Sequence, residues 1–437
     1  MMKIRMYIGL ISLLMTFSIY ASPSIEHWQT NNGARVYFVA APELPMIDIK
    51  VVFDAGSARD GKQAGLALLT NAMLNEGAGG LNVDQLAVAF EDVGAQFSNG
   101  SQRDMASVSL RSLTDKNALE PALAMFNTVL TQADFPQDAF ERIKKQILIG
   151  LQAEKQSPSA IATRQFHKAL YGTHAYANMP IGNDVSVKKI KRDDIEAFYQ
   201  RYYVANNAII VLVGAVDIQY AKLIAEQVSS GLKPGVRSAK IAAVSPIKSA
   251  QTIDITHPSS QTHIMMGQLG VKRGDHDYFP LYVGNHILGG SGLVSRLSDE
   301  VREKRGLSYS VYSYFSPMHE VGPYMFGLTT RNDQAQQALT VMTDTLKNFI
   351  KKGPLKEELI AAKQNITGGF ALRVDSNSKI ANYLAMIGFY DLPLDYLDTF
   401  KRHVEAVTLA DIKSAYSRRI DANKMITLLV GGDRGKE

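Results

Sequence analysis

The stretch RDDIEAFYQRYYVANNAIIVLVGAVD, residues 192 to 217, decides the fold because the chain contains a second version of it. That second version is LADIKSAYSRRIDANKMITLLVGGDR, residues 409 to 434. Identical residues recur at one offset, 411 minus 194 or 217: Asp194 with Asp411, Tyr199 with Tyr416, Arg201 with Arg418, Asn206 with Asn423, and Gly214 with Gly431. A match without gaps that ends in an apolar strand indicates that the chain is a duplicated domain.

Each copy shows the same order of predicted elements. β-rich runs come first, followed by a helix, a pair of strands, several long helices and a closing buried strand. In the first copy, the pair of strands is predicted around the turn signal Asn99-Gly100, and the closing strand covers Ala208 to Gly214. Strands beside runs of helices, without strict alternation, favour an α+β fold. We therefore predict two homologous domains, each a largely antiparallel sheet covered by helices on one face, rather than parallel Rossmann-like units.

Composition sets the boundaries of these domains. Residues 1 to 22 contain Lys3 and Arg5, then an uncharged run and small residues, a pattern typical of a secretory signal peptide. The uncharged run is shorter than the roughly 20 residues that a membrane-spanning helix needs. We expect export, with the periplasm as the destination, and a mature chain without a stable membrane span. The predicted ranges are 23 to 232 for the N-terminal domain, 233 to 249 for a linker rich in Pro, Gly, Ser and Lys, and 250 to 437 for the C-terminal domain.

Charge and cysteine content exclude several function classes. The chain has 47 Lys and Arg against 42 Asp and Glu, and removal of Lys3 and Arg5 leaves 45 against 42, a net charge of +3. Because both signs are interspersed, the sequence lacks the basic patch of a nucleic-acid-binding protein. Cysteine is absent. Disulfides, thiol nucleophiles and thiolate metal sites are therefore excluded.

Two segments resemble the signatures of the pitrilysin and insulinase superfamily of zinc peptidases, the inverzincins, and in particular its short-chain branch, which includes the mitochondrial processing peptidase. These segments are AGLALLTNAMLNEG, residues 64 to 77, and ILGGSGLVSRLSDEVREKRGLSYSVYS, residues 287 to 313. The resemblance covers nearly all of the mature chain. It implies two similar α+β domains per chain, two chains closing around a chamber, and an H-x-x-E-H zinc motif on the first helix of the N-terminal domain.

That zinc motif is degenerate in this chain. The family pattern places Leu68 and Ala72 where the two histidines stand, and Asn71 where the glutamate base stands. The third ligand of the family falls near Leu148 or Ile149. A catalytic zinc needs three donors and an open position for water, and these side chains cannot supply them. No two of the nine histidines stand four residues apart. We expect no metal or other cofactor in this chain, and zinc in a partner subunit.

The second segment matches the C-terminal signature of the same superfamily. Its glycine-rich loop, Gly289, Gly290, Ser291 and Gly292, is predicted to bind substrate. The resemblance implies that Arg302 and Tyr309 reach across the chamber to the zinc site of another subunit and help to hold the substrate backbone. A phenol can donate to the oxyanion that forms during peptide hydrolysis. A guanidinium can position the carbonyl or nearby groups.

A structural interpretation of the same segment stays open. The cationic cluster around Arg302 could be a solvated helix end, which the helix dipole favours. Tyr309 could share one strand face with Val311 and Ser313. Tyr312 would then point to the other face, and we predict that it packs. The loop lacks the glycine pattern of a nucleophile elbow and the Lys-Ser or Lys-Thr of a P-loop.

The sequence therefore predicts the non-metal-binding subunit of an exported heterodimeric zinc metallopeptidase that hydrolyses peptides or unfolded segments. Its partners would be a homologous zinc-binding peptidase subunit and a peptide substrate. The chain alone is predicted to be inactive. The alternative is a catalytically inactive, peptidase-like scaffold for peptide binding or assembly. No group of Ser or Asp residues in the sequence supports a self-sufficient hydrolase.

Overall fold

The computed structural model describes residues 24 to 432, so the predicted signal peptide lies outside the described residues. The first half of the described chain contains eight strands and eight α-helices. The strands are β1 Glu26–Gln29, β2 Arg35–Ala40, β3 Met46–Phe53, β4 Gly77–Ala78, β5 Leu81–Asn82, β6 Gln96–Ser101, β7 Ala106–Leu113 and β8 Ala208–Gly214. The helices are α1 Leu66–Ala72, α2 Val83–Glu91, α3 Lys116–Thr131, α4 Gln137–Glu154, α5 Pro158–Tyr171, α6 Asp184–Lys189, α7 Arg192–Tyr202 and α8 Ile218–Ser229.

The second half repeats this arrangement with five strands and six α-helices. The strands are β9 Gln251–Thr256, β10 Gln261–Leu269, β11 Val311–Phe315, β12 Pro323–Arg331 and β13 Ile426–Gly431. The helices are α9 Tyr278–Asn285, α10 Ala335–Lys352, α11 Lys356–Gly368, α12 Asn377–Phe389, α13 Tyr396–Ala406 and α14 Leu409–Arg419. Residues 230 to 250, which include the predicted linker, form no helix or strand.

The strand orders of the two large sheets reveal the duplication. The first sheet runs β1-β2-β8-β3-β7-β6 and the second runs β9-β13-β10-β12-β11. β8 is parallel to β2 and antiparallel to β3, and β13 is likewise parallel to β9 and antiparallel to β10. Apart from the additional β1 and the small sheet β4-β5 of the first domain, the two domains therefore share one topology. The predicted α+β fold class is confirmed.

The duplicated stretch repeats a helix start as well as a strand. Asp194 lies in the first turn of α7, and its carboxylate accepts the backbone N–H of Lys191 at 2.8 Å. Asp411 lies in the first turn of α14 and accepts the backbone N–H of Thr408 at 2.8 Å. Each carboxylate satisfies a donor that the helix itself leaves unpaired. The identical aspartates thus fix the start of the same helix in each domain.

The two domains exchange one helix each. Helix α5 of the N-terminal domain packs on β10 and β13, and helix α12 of the C-terminal domain packs on β2, β3 and β8. These contacts are close, because a Cβ on Gly267 would stand 2.7 Å from the Phe166 ring and a Cβ on Gly388 would stand 2.6 Å from the Tyr37 ring. Each sheet therefore has its own helical layer on one face and a helix of the other domain on the opposite face.

A buried carboxylate joins the domains beside these helices. Asp104, in the turn between β6 and β7, accepts hydrogen bonds from the Tyr176 hydroxyl at 2.5 Å, the Tyr390 hydroxyl at 3.0 Å and the His319 backbone N–H at 2.8 Å. Tyr176 follows α5, whereas His319 and Tyr390 belong to the C-terminal domain. Since Asp104 is 3% exposed, these three donors replace its water shell.

The predicted turn at Asn99-Gly100 is wrong. Both residues lie inside β6, and the chain reverses over Gln102 to Met105, where the Gln102 N–H donates to the Met105 carbonyl at 2.8 Å. The Asn99 side chain donates to the Asn71 carbonyl at 2.7 Å and to the Asn75 side chain at 3.0 Å. These tertiary bonds hold Asn99 in the strand and override its local turn preference.

The α5 interface should lose stability in acid because of His167. Burial, together with the nearby Arg103 cation, lowers the pKa of His167 to about 3, even though its ring bonds to the Thr163 carbonyl. Below about pH 6.5 the imidazole of His167 binds a proton in the unfolded chain but not in the native chain. As the pH is lowered from there to about 3, the free energy of unfolding should therefore fall by about 1.4 kcal/mol per pH unit. Urea unfolding at pH 7.5 and pH 5.5 measures this loss.

A His167→Gln variant is the matched control for that experiment. Glutamine does not titrate, and its amide can still donate to Thr163. The difference between the two proteins isolates His167 from all other groups that titrate in the same range. An equal loss of stability in both proteins would contradict the assignment.

None of the helices in residues 24 to 432 combines the length and the apolar character that a bilayer crossing requires.

Candidate functional site

The position of the family's glutamate base is part of the core. Asn71 is 1% exposed, and its amide donates to the Tyr203 hydroxyl at 3.2 Å and to the Ser107 carbonyl at 3.3 Å. Burial raises the pKa of Tyr203, so its hydroxyl stays protonated and can serve in this network. The Asn71 side chain therefore points into the domain and cannot activate a water molecule.

The three ligand positions provide no donor. Leu68 and Ala72 are half-buried on α1, and Ile149 on α4 is 60% exposed. None of these side chains has a nitrogen, oxygen or sulfur atom. Leu148, the other candidate for the third position, is half-buried and equally inert. Because zinc requires donor atoms at these positions, the residues present do not fit the metal.

Within residues 24 to 432, one group of three side chains that could bind a metal lies close together: Asp275, His276 and Asp277. Its two carboxylates already accept hydrogen bonds from arginine side chains. Arg419 donates to Asp277 at 2.7 Å and to Asp275 at 3.0 Å, and Arg418 donates to Asp277 at 2.6 Å. Guanidinium groups thus neutralise this cluster, and it ties the end of α14 to the start of α9.

A π-helical turn, His286–Gly290, contains the first two glycines of the loop, and a second one follows the loop at Ser298–Glu303. Such turns are rare and occur often at functional sites. Gly290 and Gly292 are exposed, and Ser291 is half-buried. Gly292 has a φ of +63°, a conformation that favours glycine.

Gly289 requires a correction. It is buried, and a Cβ at this position would stand 2.3 Å from the Ser313 hydroxyl of β11. Its surroundings therefore leave no room for substrate. Gly289 is a packing residue that lets the loop approach the strand, and the accessible part of the loop is Gly290 to Gly292.

Arg302 lies in the second π-helical turn and is half-exposed. Its neighbours Lys304 and Arg305 both pair with Glu300, at 2.7 and 2.6 Å. Among residues 24 to 432, the ion-pair partner of the Arg302 guanidinium is the adjacent Glu303, at 3.3 Å, and that carboxylate is largely exposed. An exposed pair of this kind contributes little stability. The Arg302 guanidinium is thus held by a longer ion pair than the other two cations, although its side chain is 35% exposed against 53% for Lys304 and 39% for Arg305.

Tyr309 precedes β11 and is 89% exposed, whereas Val311 and Ser313 are buried. The interpretation that placed these three residues on one strand face is therefore wrong. The backbone beside Tyr309 is fixed, because the buried Ser308 hydroxyl bonds to the Thr329 carbonyl at 2.7 Å and to the Ser310 carbonyl at 2.8 Å. The structure holds the phenol outward without burying it.

The structure brings Arg302 and Tyr309 onto one short segment. The Gly306 N–H donates to the Arg302 carbonyl at 2.8 Å, and the Leu307 N–H donates to the Val301 carbonyl at 2.9 Å. These bonds turn the chain directly from the π-helical turn into the residues before Tyr309. Both side chains belong to the C-terminal domain, whereas the degenerate helix α1 belongs to the N-terminal domain.

The chain thus combines duplicated α+β domains with a first helix that lacks metal donors at the family's ligand positions and with an exposed tyrosine seven residues after an arginine. Family models agree: residues 35–184 match Insulinase (Peptidase family M16), and residues 189–366 match the Peptidase M16 inactive domain. The chain belongs to peptidase family M16, and the predicted insulinase-like family is confirmed.

Relatives with similar sequences or structures are named as inactive or non-peptidase homologues in two cases and as a zinc protease in a third. A crystal structure of a peptidase M16 inactive domain from Pseudomonas fluorescens is 42% identical, covers 94% of this chain and 98% of its own, and superposes with a TM-score of 0.91. The non-peptidase homolog YmxG of Helicobacter pylori is 25% identical, over 97% of this chain and 98% of its own. An uncharacterized zinc protease YmxG of Bacillus subtilis is 23% identical, over 82% of this chain and 86% of its own.

Proposed function

We propose that this chain is the metal-free subunit of an exported M16 peptidase pair that hydrolyses peptides or unfolded segments. The observation that carries the proposal is Tyr309, which is 89% exposed on a backbone fixed by the buried Ser308. A tyrosine that only stabilised the fold would be expected to bury its ring. The phenol instead has the exposure of a group that meets a ligand.

The partner is a homologous chain with an intact H-x-x-E-H helix, which supplies the metal chemistry. In the pair, the Tyr309 hydroxyl donates to the substrate carbonyl oxygen as that oxygen gains negative charge. The Arg302 guanidinium binds and orients a neighbouring carbonyl. The exposed Gly290 to Gly292 lets the substrate backbone approach closely. An extended peptide can also pair with an exposed sheet edge, which binds many sequences through main-chain hydrogen bonds.

A second candidate function is an inactive scaffold for peptide binding or assembly. It is supported by the relative of Helicobacter pylori, whose description is a non-peptidase homolog and which aligns over nearly the whole chain. The two functions differ in one measurable property. A scaffold leaves the activity of any partner independent of Tyr309 and Arg302.

The isolated chain should contain no stoichiometric zinc and cleave no peptide. Co-expression with a homologous H-x-x-E-H chain should give a heterodimer with one zinc per pair that cleaves unstructured peptides. Light scattering after gel filtration, elemental analysis and a quenched-fluorescence peptide assay measure these properties. A pure lone chain with one tightly bound zinc and peptidase activity would contradict the proposal, and so would a zinc-loaded partner that is equally active without this chain.

Export is part of the same proposal. It predicts that a chain with residues 1 to 22 accumulates in the periplasm and that a chain lacking them stays in the cytoplasm. Fractionation of cells that express the two forms measures the difference.

A further inference from the structure

Helix α9 of the second domain corresponds to helix α1 of the first. Each is the first α-helix after the strand that pairs antiparallel with the closing strand, β10 in one domain and β3 in the other. Each also contains a buried asparagine whose amide donates to a strand carbonyl, Asn71 to Ser107 at 3.3 Å and Asn285 to Ser313 at 2.9 Å. The two asparagines align the helices at an offset of 285 minus 71, or 214.

At this offset the second domain has polar side chains where the degenerate metal motif has apolar ones. Tyr282 takes the place of Leu68, and His286 takes the place of Ala72. Both are half-buried, and the four-residue spacing places them on one face of α9 and of the π-helical turn that continues it. The half-buried Arg373 completes this α9 cluster, with its guanidinium carbon 6.0 Å from the centre of the Tyr282 ring.

The positive charge of Arg373 is not neutralised. Its guanidinium interacts with the phenols of Tyr282 and Tyr383, and no carboxylate in residues 24 to 432 forms an ion pair with it. Asp375, two residues further along the chain, pairs with Lys379 at 2.8 Å. A guanidinium has five N–H donors, and protonated phenols supply no negative charge. The cluster therefore keeps the capacity to bind an anion.

The same charge decides against a metal ion. Tyr282 and His286 alone could serve as two donors on one helix face. Burial and the nearby Arg373 cation both lower the pKa of His286, so the cluster already disfavours one added positive charge. A carboxylate is favoured instead, because it matches the guanidinium fork and can accept further hydrogen bonds from the imidazole and the phenol.

A second cation lies along the same row of tyrosines. Tyr278 stacks on Tyr282, with 5.7 Å between the ring centroids. Burial raises the pKa of Tyr278, and the nearby Arg273 cation opposes that shift. The Arg273 guanidinium carbon lies 5.4 Å from the centre of the Tyr390 ring, and its buried Nε has no hydrogen-bond partner among the described residues. Tyrosine rings thus connect Arg273 with Arg373.

We propose that Tyr282, His286 and Arg373 bind a carboxylate group of a peptide, either an acidic side chain or the C-terminus. The proposal rests on the proposed function in one respect, namely that this peptide is the substrate. Tyr282, His286 and the exposed Gly290 follow one another at four-residue spacing, so the cluster lies about 12 Å along the helix from the loop. An extended peptide spans that distance with about four residues.

Binding to the isolated chain tests this site without a partner or a metal. Three fluorescently labelled decapeptides of one otherwise uncharged sequence are compared by fluorescence anisotropy. The first has an internal glutamate and an amidated C-terminus, the second has glutamine at that position and an amidated C-terminus, and the third has the glutamine and a free C-terminal carboxylate. The first or the third should bind about tenfold more tightly than the second, a ratio that corresponds to about 1.4 kcal/mol. The tighter peptide identifies the source of the carboxylate.

Variants separate recognition from folding. Arg373→Gln removes the charge and should abolish the preference, whereas Arg373→Lys keeps the charge and should retain part of it. Tyr282→Phe keeps the ring but loses the hydroxyl, so it should reduce the preference, which covers the case in which Arg373→Gln does not fold. Arg201, whose guanidinium carbon lies 5.3 Å from the centre of the Tyr202 ring, provides the matched control Arg201→Gln, which should bind as wild type.

Three results would overturn the site. They are equal binding of the three peptides by the wild-type chain, an undiminished preference in the folded Arg373→Gln variant (or in Tyr282→Phe where that variant does not fold), and an equal loss in Arg201→Gln. The last result would reveal unspecific attraction to the surface charge. Tyr309→Phe should leave the preference unchanged. A preference that persists in a pair without peptidase activity would therefore refute the proposed function and keep the carboxylate site.

Discussion

Replacing Tyr309 by phenylalanine should lower kcat of the reconstituted pair by about 10²- to 10³-fold, the loss typical of removing one donor to a developing oxyanion. The substitution removes only the hydroxyl. Because Tyr309 is 89% exposed, its ring makes little contribution to folding, so the free energy of unfolding should stay the same. KM should change little if the donor acts mainly in the transition state. Steady-state kinetics on an unstructured peptide measures both constants.

The controls for this experiment come from the same chain. Tyr220→Phe removes a hydroxyl from a surface helix far along the sequence from the site, and it should leave kcat unchanged. Arg302→Lys keeps the charge but loses the planar fork. It should therefore lower the peptidase activity of the pair less than Arg302→Ala, which removes the charge. Zinc content and heterodimer assembly should match wild type in all variants. Normal turnover in the Tyr309→Phe pair would remove the proposed role and favour the scaffold.

Replacing Asp104 by alanine should lower the free energy of unfolding by at least about 3 kcal/mol, because three buried donors lose their acceptor and each buried donor left unpaired costs about 1–3 kcal/mol. The substitution leaves the hydroxyls of Tyr176 and Tyr390 and the N–H of His319 without their shared acceptor. These groups come from both domains, so the contact between the domains should weaken first. Urea unfolding measures the loss, and the rate of proteolysis within residues 233 to 249 reports on domain separation.

Two comparisons make the Asp104 result specific. Asp104→Asn keeps an acceptor and should cost less than alanine, while Asp92→Ala removes an exposed carboxylate at the end of α2 and should change stability by less than about 0.5 kcal/mol. An Asp104→Ala protein as stable as the Asp92→Ala protein would show that the buried network does not join the domains.

Local rules explain why the fold class could be predicted from the sequence. Asp194 and Asp411 begin equivalent helices through the same backbone contact, so equal sequence implies equal structure at that level. The closing strands β8 and β13 are buried throughout and, apart from Thr427, apolar, as expected for the centre of a sheet covered on both faces. Because the domain is duplicated, the elements predicted for the first copy recur in the second.

Tertiary contacts explain what could not be predicted. The apolar pattern of α5 indicates that the helix is buried, but it contains no information about which sheet the helix covers. The exchange of α5 and α12 could therefore not be predicted from the sequence. The same limit applies to Asn99, whose turn preference is overridden by hydrogen bonds to Asn71 on α1 and to Asn75 just after it.

The candidate site divides in a similar way. The motif alone located Arg302 and Tyr309 on one segment, and the missing donors at Leu68 and Ala72 followed from residue chemistry. Burial was the unpredictable quantity. It converts Gly289 from a substrate contact into a packing residue, and it leaves Tyr312 exposed on one side of its ring. A short motif cannot specify how far each residue lies from solvent.

The exchanged helices bear on the origin of the molecule. If the two halves arose by duplication, a single-half ancestor had no second half to lend it α5 or α12, and the apolar face that these helices now cover would have met water. Two ancestral copies could have covered that face by trading their equivalent helix, an isologous arrangement with twofold symmetry. Fusion of the two genes would then have freed each half to diverge in sequence while the exchanged helices kept both sheets covered.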